Sequence, residues 1–259
     1  MDQIKIVFFD IDGTLVSLGQ TDMSPKTKQA LRQLQQKGIT IGLATGRAMA
    51  SIPAFEGITF DVILAFNGSL CVAQNEIILK QVIPTRDVKQ IIENAKQLGR
   101  PVSIATAQQT IANGSDRDLE EYFAVAHQKV VVSDAFNDYA NDDIFQIMLG
   151  CDLEERKEIL LGTNHARITA WWDRAIDIIP IKSGKGRAIQ AILDYYQFSQ
   201  AESLAFGDGA NDIEMLQAVG TGVAMGNAAE DVKQTADHIC GHVTEDGIYD
   251  YLRDHKLID

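Results

Sequence analysis

Positive charge is what this chain has too little of. Its 23 lysines and arginines face 36 aspartates and glutamates, a formal net charge of -13. That deficit argues against non-specific nucleic-acid binding and against docking on anionic membrane, both of which need basic surface. An anionic ligand would have to be met by a few local cations or a metal. Long apolar runs are missing too. The longest are strand-sized and broken by charge or glycine, so no segment is expected to span a bilayer. Residues 1–15 lack the basic start and small-residue cleavage site of a secretory signal, with Asp2 and Asp10 where apolar or basic residues belong. The expected location is the cytoplasm. Cysteine is scarce and odd in number. Cys71, Cys151 and Cys240 are far apart, which excludes a disulfide framework or a zinc ribbon and leaves buried reduced thiols as the expectation. The histidines (127, 165, 238, 242 and 255) lack ligand spacing except at His238 and His242, where a metal role is not expected. There is no internal repeat, low-complexity tract or long linker.

What is present is an alternation of strand-like and helix-like patterns, the mark of an α/β architecture with a parallel sheet. "IKIVFFD" is the first strand. Ser24-Pro25 reads as an N-cap followed by proline at the first helical position, with Ala30, Leu31 and Leu34 as an apolar stripe and Gly38 as the stop. "ITIGLATGR" and "DVILAFNG" are the next strands, and "SLCVA" and "IILKQVI" flank Gln74-Asn75-Glu76 as a hairpin. After Pro84 the character changes. Thr85 is expected to cap a helix, followed by strands at "VSIATA", "DIFQIMLG", "ARITAWW" and "AIDIIP", with helix-compatible segments at 117–127 and 152–161. The first pattern then resumes with a helix at 185–196, a strand "SLAFGDG", a helix at 210–218 and a strand "GVAMG". The expected organisation is a core built from residues 1–83 and 183–259, interrupted by an inserted α+β domain with an antiparallel sheet at 84–182.

Ligands of open parallel sheets gather at the carboxyl ends of the strands. Here those ends carry Asp10-Ile-Asp12-Gly13-Thr14, Thr45-Gly46-Arg47, Asn67-Gly68, and "GDGANDIEM" with Asp208, Asn211 and Asp212; Lys185 stands at a helix start nearby in sequence. Carboxylates that crowd together cannot all stay ionised without compensation. A hard divalent cation in a sparse oxygen shell, Mg²⁺, is the natural compensation. A nucleophilic carboxylate, a second carboxylate, a hydroxyl, a lysine and a metal suit phosphoryl transfer. In an extended segment alternate side chains share a face, so Asp10 and Asp12 can point the same way. Asp10 can then attack phosphorus, with Asp12 as general acid and afterwards base. Gly13 leaves room for a phosphate, and Thr14 can tie the loop.

In these residues the chain resembles the haloacid dehalogenase superfamily, in particular its Cof-type sugar-phosphatase-like branch with a type IIB cap. "DIDGTL", Thr45-Gly46-Arg47, Lys185-Gly186 and "GDGAND" look like the four motifs of that family, and the resemblance covers nearly the full length. It implies a Rossmann-like core with an inserted cap at 84–182, and a phosphatase of small phosphorylated metabolites working through an aspartyl-phosphate. It further implies Asp10 as nucleophile and Asp12 as acid/base. Mg²⁺ would be held by Asp10, the backbone carbonyl of Asp12 and Asp208. Phosphate would be bound by Thr45, Gly46, Lys185 and Asn211, and Asp212 would orient Lys185 or a metal-bound water. Arg47 either steers anionic substrates or caps the following helix; Lys182 is a second lysine close to Lys185. Trp171 and Trp172 are alternative substrate contacts from the cap, or packing residues. Two other readings stand beside the phosphatase. A phosphomutase shares the motifs but would need a bisphosphate activator. A phospho-accepting receiver would have no use for Asp12 or the late carboxylates.

Overall fold

Four consecutive apolar residues, Ile6–Phe9, are buried on both faces, which the interior of a parallel sheet covered on two sides tolerates. They form β1 in a computed structural model that describes residues 3–125, 127–170 and 172–259. β1 is followed by α1 (Pro25–Gln36), β2 (Thr40–Ala44), β3 (Val62–Ala65), β4 (Leu70–Ala73) and β5 (Glu76–Lys80). Then come α2 (Thr85–Gln97), β6 (Ser103–Ala105), β7 (Thr110–Ala112), α3 (Arg117–Val125), α4 (Phe136–Tyr139), β8 (Gln146–Gly150), α5 (Arg156–Ile159), β9 (Ala166–Thr169) and β10 (Ala175–Pro180). The chain closes with α6 (Lys185–Tyr196), β11 (Ser203–Gly207), α7 (Ile213–Ala218), β12 (Thr221–Ala224), α8 (Glu230–Thr235), β13 (His238–Ile239) and α9 (Gly247–Asp254).

These elements fall into two compact units. The first comprises residues up to Gly46, Pro53–Leu79 and Gly184–Asp259; the second comprises Arg47–Ile52 and Lys80–Ser183. The first is built on an eight-stranded sheet in the order β13-β12-β11-β1-β2-β3-β4-β5, parallel from β13 to β3, with β4 antiparallel to β3. Phe9 stands opposite Phe206 on β11 and Leu43 on β2, so the central strands run out at nearly the same level. The loops after β1, β2 and β11 therefore share one edge. The turn between β4 and β5 has both central residues, Gln74 and Asn75, at positive φ (51° and 66°), the form that matches strand twist in a two-residue hairpin loop. Ser24 caps α1, its hydroxyl accepting from the Thr27 N–H at 3.0 Å. A core of Ile6, Phe8, Leu64, Ile189, Ile192 and Leu216 fills the space between sheet and helices.

The second unit holds a five-stranded antiparallel sheet in the order β7-β6-β8-β10-β9. Its own core includes Val88, Ile91, Ile104, Ile147, Leu149 and Ile178. Thr85 begins α2 rather than capping it, because Pro84 occupies the cap position. Residues 210–218 are not one helix: Ala210–Asp212 form a 3₁₀ turn, and only then does α7 begin. Cys71 and Cys151 are buried, whereas Cys240 is only half-buried. Burial pushes the Cys71 and Cys240 thiols up to about 12 and Cys151 to about 11. Among the described residues no helix is long and apolar enough to cross a membrane.

Candidate active site

The loop after β1 turns back on itself at once. The Asp10 N–H still donates to Phe206 O on β11 at 3.1 Å, while the Leu15 N–H returns to Asp10 O and the Val16 N–H to Ile11 O. The turn needs glycine at position 13. Its φ is +89°, and a Cβ there would lie 2.1 Å from Asp208 Oδ2. Close approach brings Thr14 within reach, and its hydroxyl donates to Asp208 Oδ1 at 2.8 Å. The first loop and the loop after β11 are thus tied by one hydrogen bond and one missing side chain.

Lys185 is the first residue of α6 and is 1% exposed. Its Nζ lies 2.6 Å from Asp10 Oδ1 and 2.6 Å from Asp212 Oδ1. Asp212 accepts on its other oxygen from the Asp208 N–H at 3.0 Å and the Gly209 N–H at 2.9 Å. With an ammonium and two amides on it, Asp212 serves as the anchor that fixes Lys185 and the loop after β11. Asp10 keeps an oxygen beyond its Lys185 contact. One ligand oxygen each from Asp10, Asp208 and Asp212 lies within 4.8 Å of the others, a group able to hold a metal ion.

The electrostatics follow from this crowding. Burial raises the Asp10 carboxyl well above the usual carboxylate range; Lys185 opposes that rise, and Asp212, Asp208 and Asp12 add to it. Burial and the Asp212 charge likewise lift Asp208 from 3.8 to about 7. Burial alone would lower the Lys185 ammonium, but Asp10 and Asp212 outweigh it and the group is held charged. Three carboxylates and one ammonium leave a local excess of negative charge that a cation would relieve.

The phosphate-binding candidates stand around the same edge. Thr45 is buried at the end of β2, and its carbonyl accepts from the Asn67 N–H at 3.0 Å. Asn67 itself is buried with φ at +53°, and its Oδ1 accepts from Asn211 Nδ2 at 3.0 Å. Gly46 packs on the Asn67 amide, since a Cβ there would meet Asn67 Oδ1 at 3.2 Å. The turn at 67–68 therefore links the loop after β2 to the loop after β11, besides ending a strand. Asp12 is half-buried and lies outside the group of three, although its charge is felt at Asp10.

The remaining residues singled out from the sequence are placed elsewhere or differently. Arg47 belongs to the second unit and donates to Ser51 O at 3.3 Å. Lys182 is exposed, whereas Lys185 is the lysine in contact with the carboxylates. Trp172 carries the Arg174 guanidinium 4.2 Å from its ring centroid, and its carbonyl accepts from Arg156; Trp171 lies outside the described residues. His238 Nδ1 is 2.7 Å from the Tyr251 hydroxyl and His242 Nδ1 accepts from the Thr244 N–H, so each has a structural partner. One contributor is absent from the motifs. Asn227, beyond the end of β12, donates to Gly13 O at 2.8 Å and to Asp208 Oδ2 at 3.3 Å. The only signal for it in the sequence is its position three residues past the end of a parallel strand.

A parallel sheet whose adjoining strand ends carry two acidic loops, a buried lysine and a threonine defines a phosphoryl-transfer class of enzyme. Comparison with known proteins agrees. The family of haloacid dehalogenase-like hydrolases matches residues 7–252. A putative phosphatase of Bacillus subtilis, YkrA, is 30% identical over 247 residues, covering 94% of this chain and 95% of its own. The solved structure of a subclass IIB sugar phosphatase, BT4131, is 30% identical with a TM-score of 0.88, covering 98% of this chain and all of that one. That of the phosphatase BT1666 of Bacteroides thetaiotaomicron is 29% identical with a TM-score of 0.90, covering 99% of this chain and 96% of the other. The chain belongs to the haloacid dehalogenase-like hydrolases, and its site and relatives place it among their phosphatases.

Proposed function

We propose that the chain is a Mg²⁺-dependent phosphomonoesterase that hydrolyses small phosphorylated metabolites, sugar phosphates among them, through an aspartyl-phosphate on Asp10. The observation that carries this reading is the buried Lys185 ammonium, shared at 2.6 Å between Asp10 and Asp212 beside the Asp208 carboxylate. The family, and the sugar phosphatase among its structural relatives, support the substrate class. No observation favours the mutase or receiver readings over it.

The donor set suits the metal: hard carboxylate oxygens, few in number, in a site where burial first and the crowding of carboxylates second raise the Asp10 and Asp208 carboxyls. Asp10, Asp208 and the Asp12 backbone carbonyl would hold it, and when bound it would neutralise charge on the phosphoryl oxygens and the carboxylates. The chain's own groups do the rest. Lys185, Thr45, the Gly46 backbone and Asn211 hold the phosphoryl oxygens. An Asp10 oxygen attacks phosphorus as the bond to the ester oxygen breaks, and Asp12 gives its proton to the leaving oxygen. Asp12, now ionised, takes a proton from the water that attacks the aspartyl-phosphate. Phosphate departs and both carboxyls are restored. Residues 84–182 are assigned the choice of leaving group.

The test is phosphate release from a panel of phosphorylated metabolites with Mg²⁺, by the wild type and by Asp10→Asn. An amide is a poor nucleophile, so turnover should vanish in Asp10→Asn while the circular-dichroism spectrum is unchanged. Wild-type rates in Asp10→Asn would remove the covalent mechanism.

A further inference from the structure

Asn227 does more than fill space beside the first loop. The chain leaves β12 at Ala224; the Met225 N–H still bonds Gly207 O at 3.0 Å, and the Gly226 N–H bonds Gly241 O at 3.1 Å. That turn delivers the Asn227 side chain between three segments. Its amide nitrogen donates to Gly13 O at 2.8 Å and to Asp208 Oδ2 at 3.3 Å, and its oxygen accepts from the Val243 N–H at 3.0 Å. The orientation is forced: flipped, the oxygen would face two acceptors and the NH₂ group would face a donor. Thr14 holds the other oxygen of Asp208 at 2.8 Å, so both oxygens are aimed by neutral donors. Neutrality matters here, because a lysine or arginine in the same place would compete with a metal for the carboxylate.

We propose that Asn227 is a positioning residue that presets the Asp208 carboxylate and the Gly13 loop for the divalent cation. The proposal rests on the reading that Asp208 helps to hold that cation. Groups that orient metal-ligating carboxylates typically change metal affinity about 10–100-fold when removed. Calorimetric titration of Mg²⁺ into the full chain without substrate is the test, comparing wild type, Asn227→Ala, Asn227→Leu and Asp208→Asn. Leucine keeps the shape of asparagine and lacks its donors, so both Asn227 variants should bind Mg²⁺ about 10–100-fold more weakly. Raising Mg²⁺ should restore kcat in Asn227→Ala with KM for the ester unchanged, which a merely structural role would not produce. Wild-type affinity in Asp208→Asn would defeat the metal-site reading itself. Loss in Asp208→Asn with wild-type affinity in Asn227→Leu would overturn the role of Asn227 alone. Should the variants fail to fold, nitrogen-15 spectra of the wild type decide: the Asn227 side-chain NH₂ signals should shift on adding Mg²⁺, and signals that stay in place overturn the proposal.

Discussion

Asp208 ionises near pH 7 because burial and the neighbouring Asp212 charge both penalise its anion, while Thr14 and Lys185 only partly compensate. A carboxyl raised from 3.8 to about 7 on folding contributes stability that is complete below its unfolded value and lost as pH rises through about 7. The Mg²⁺ of the proposed mechanism would bind the ionised form, so the loss should be cancelled by the metal only where the proton has already left. The melting temperature gained on replacing chelator with Mg²⁺ should therefore be small at pH 5 and larger at pH 8, read by differential scanning fluorimetry. An equal gain at both values would show that Asp208 does not couple to the cation. Asp10, Asp208 and Lys185 are legible in the sequence because the two aspartates stand where an apolar run stops and the lysine where a helix pattern begins. Asn227 is not, since an asparagine after a strand serves as readily in a turn, and only its hydrogen bonds to Gly13 and Asp208 separate the roles.

The loop after β1 depends on an absent side chain. Gly13 and Gly19 both sit at positive φ, +89° and +81°, but a Cβ at Gly13 would run into Asp208 whereas one at Gly19 meets nothing within 4 Å. Gly19→Ala should thus show only the backbone strain, about 1 kcal/mol, with activity kept. Gly13→Ala adds displacement of the Asp208 carboxylate and should lower kcat at least about a hundredfold, roughly 2.7 kcal/mol of transition-state stabilisation. Phosphate release and urea melts on the two variants check this, and equal behaviour would mean that the approach to Asp208 carries no catalytic weight. Elements with strong local signals are readable in the sequence: β1 from unbroken apolar residues, α1 from Ser24-Pro25, and α6 from its stripe and the glycine before it. Others are not. β7 and β13 have three and two residues, too short for any periodicity; α8 has only six residues, and α9 follows a stretch with glycine and acidic residues that reads as loop. The 3₁₀ turn at Ala210–Asp212 is shaped by Asp212 accepting backbone N–H bonds from residues 208 and 209, a contact that no hydropathy pattern encodes.

Each unit of the molecule has a hydrophobic cluster of its own, one around Phe8 and Ile189 and one around Ile104 and Ile147. Because the carboxylates, Thr45 and Lys185 all belong to the first unit, we assign the chemistry to it and the selection of substrate to residues 84–182. Replacing that segment with a short linker should flatten the ranking among phosphate esters more than it slows hydrolysis of a small activated ester, once folding is verified by circular dichroism. An unchanged ranking would return specificity to the first unit. The pairing of β1 with β11 also bears on synthesis. The two strands lie next to each other in the sheet but nearly two hundred residues apart along the chain. While the ribosome is still translating the region between them, β1 has β2 for a neighbour and a bare edge on its other side, made of Ile-Val-Phe-Phe. Unpaired apolar edges of this kind are where nascent chains stick to one another. The inserted unit, whose strands all lie within residues 103–180, can close first. Asp10 must then wait for Lys185 to emerge, so the phosphatase brings this buried carboxyl its ammonium partner only in the last third of its own translation.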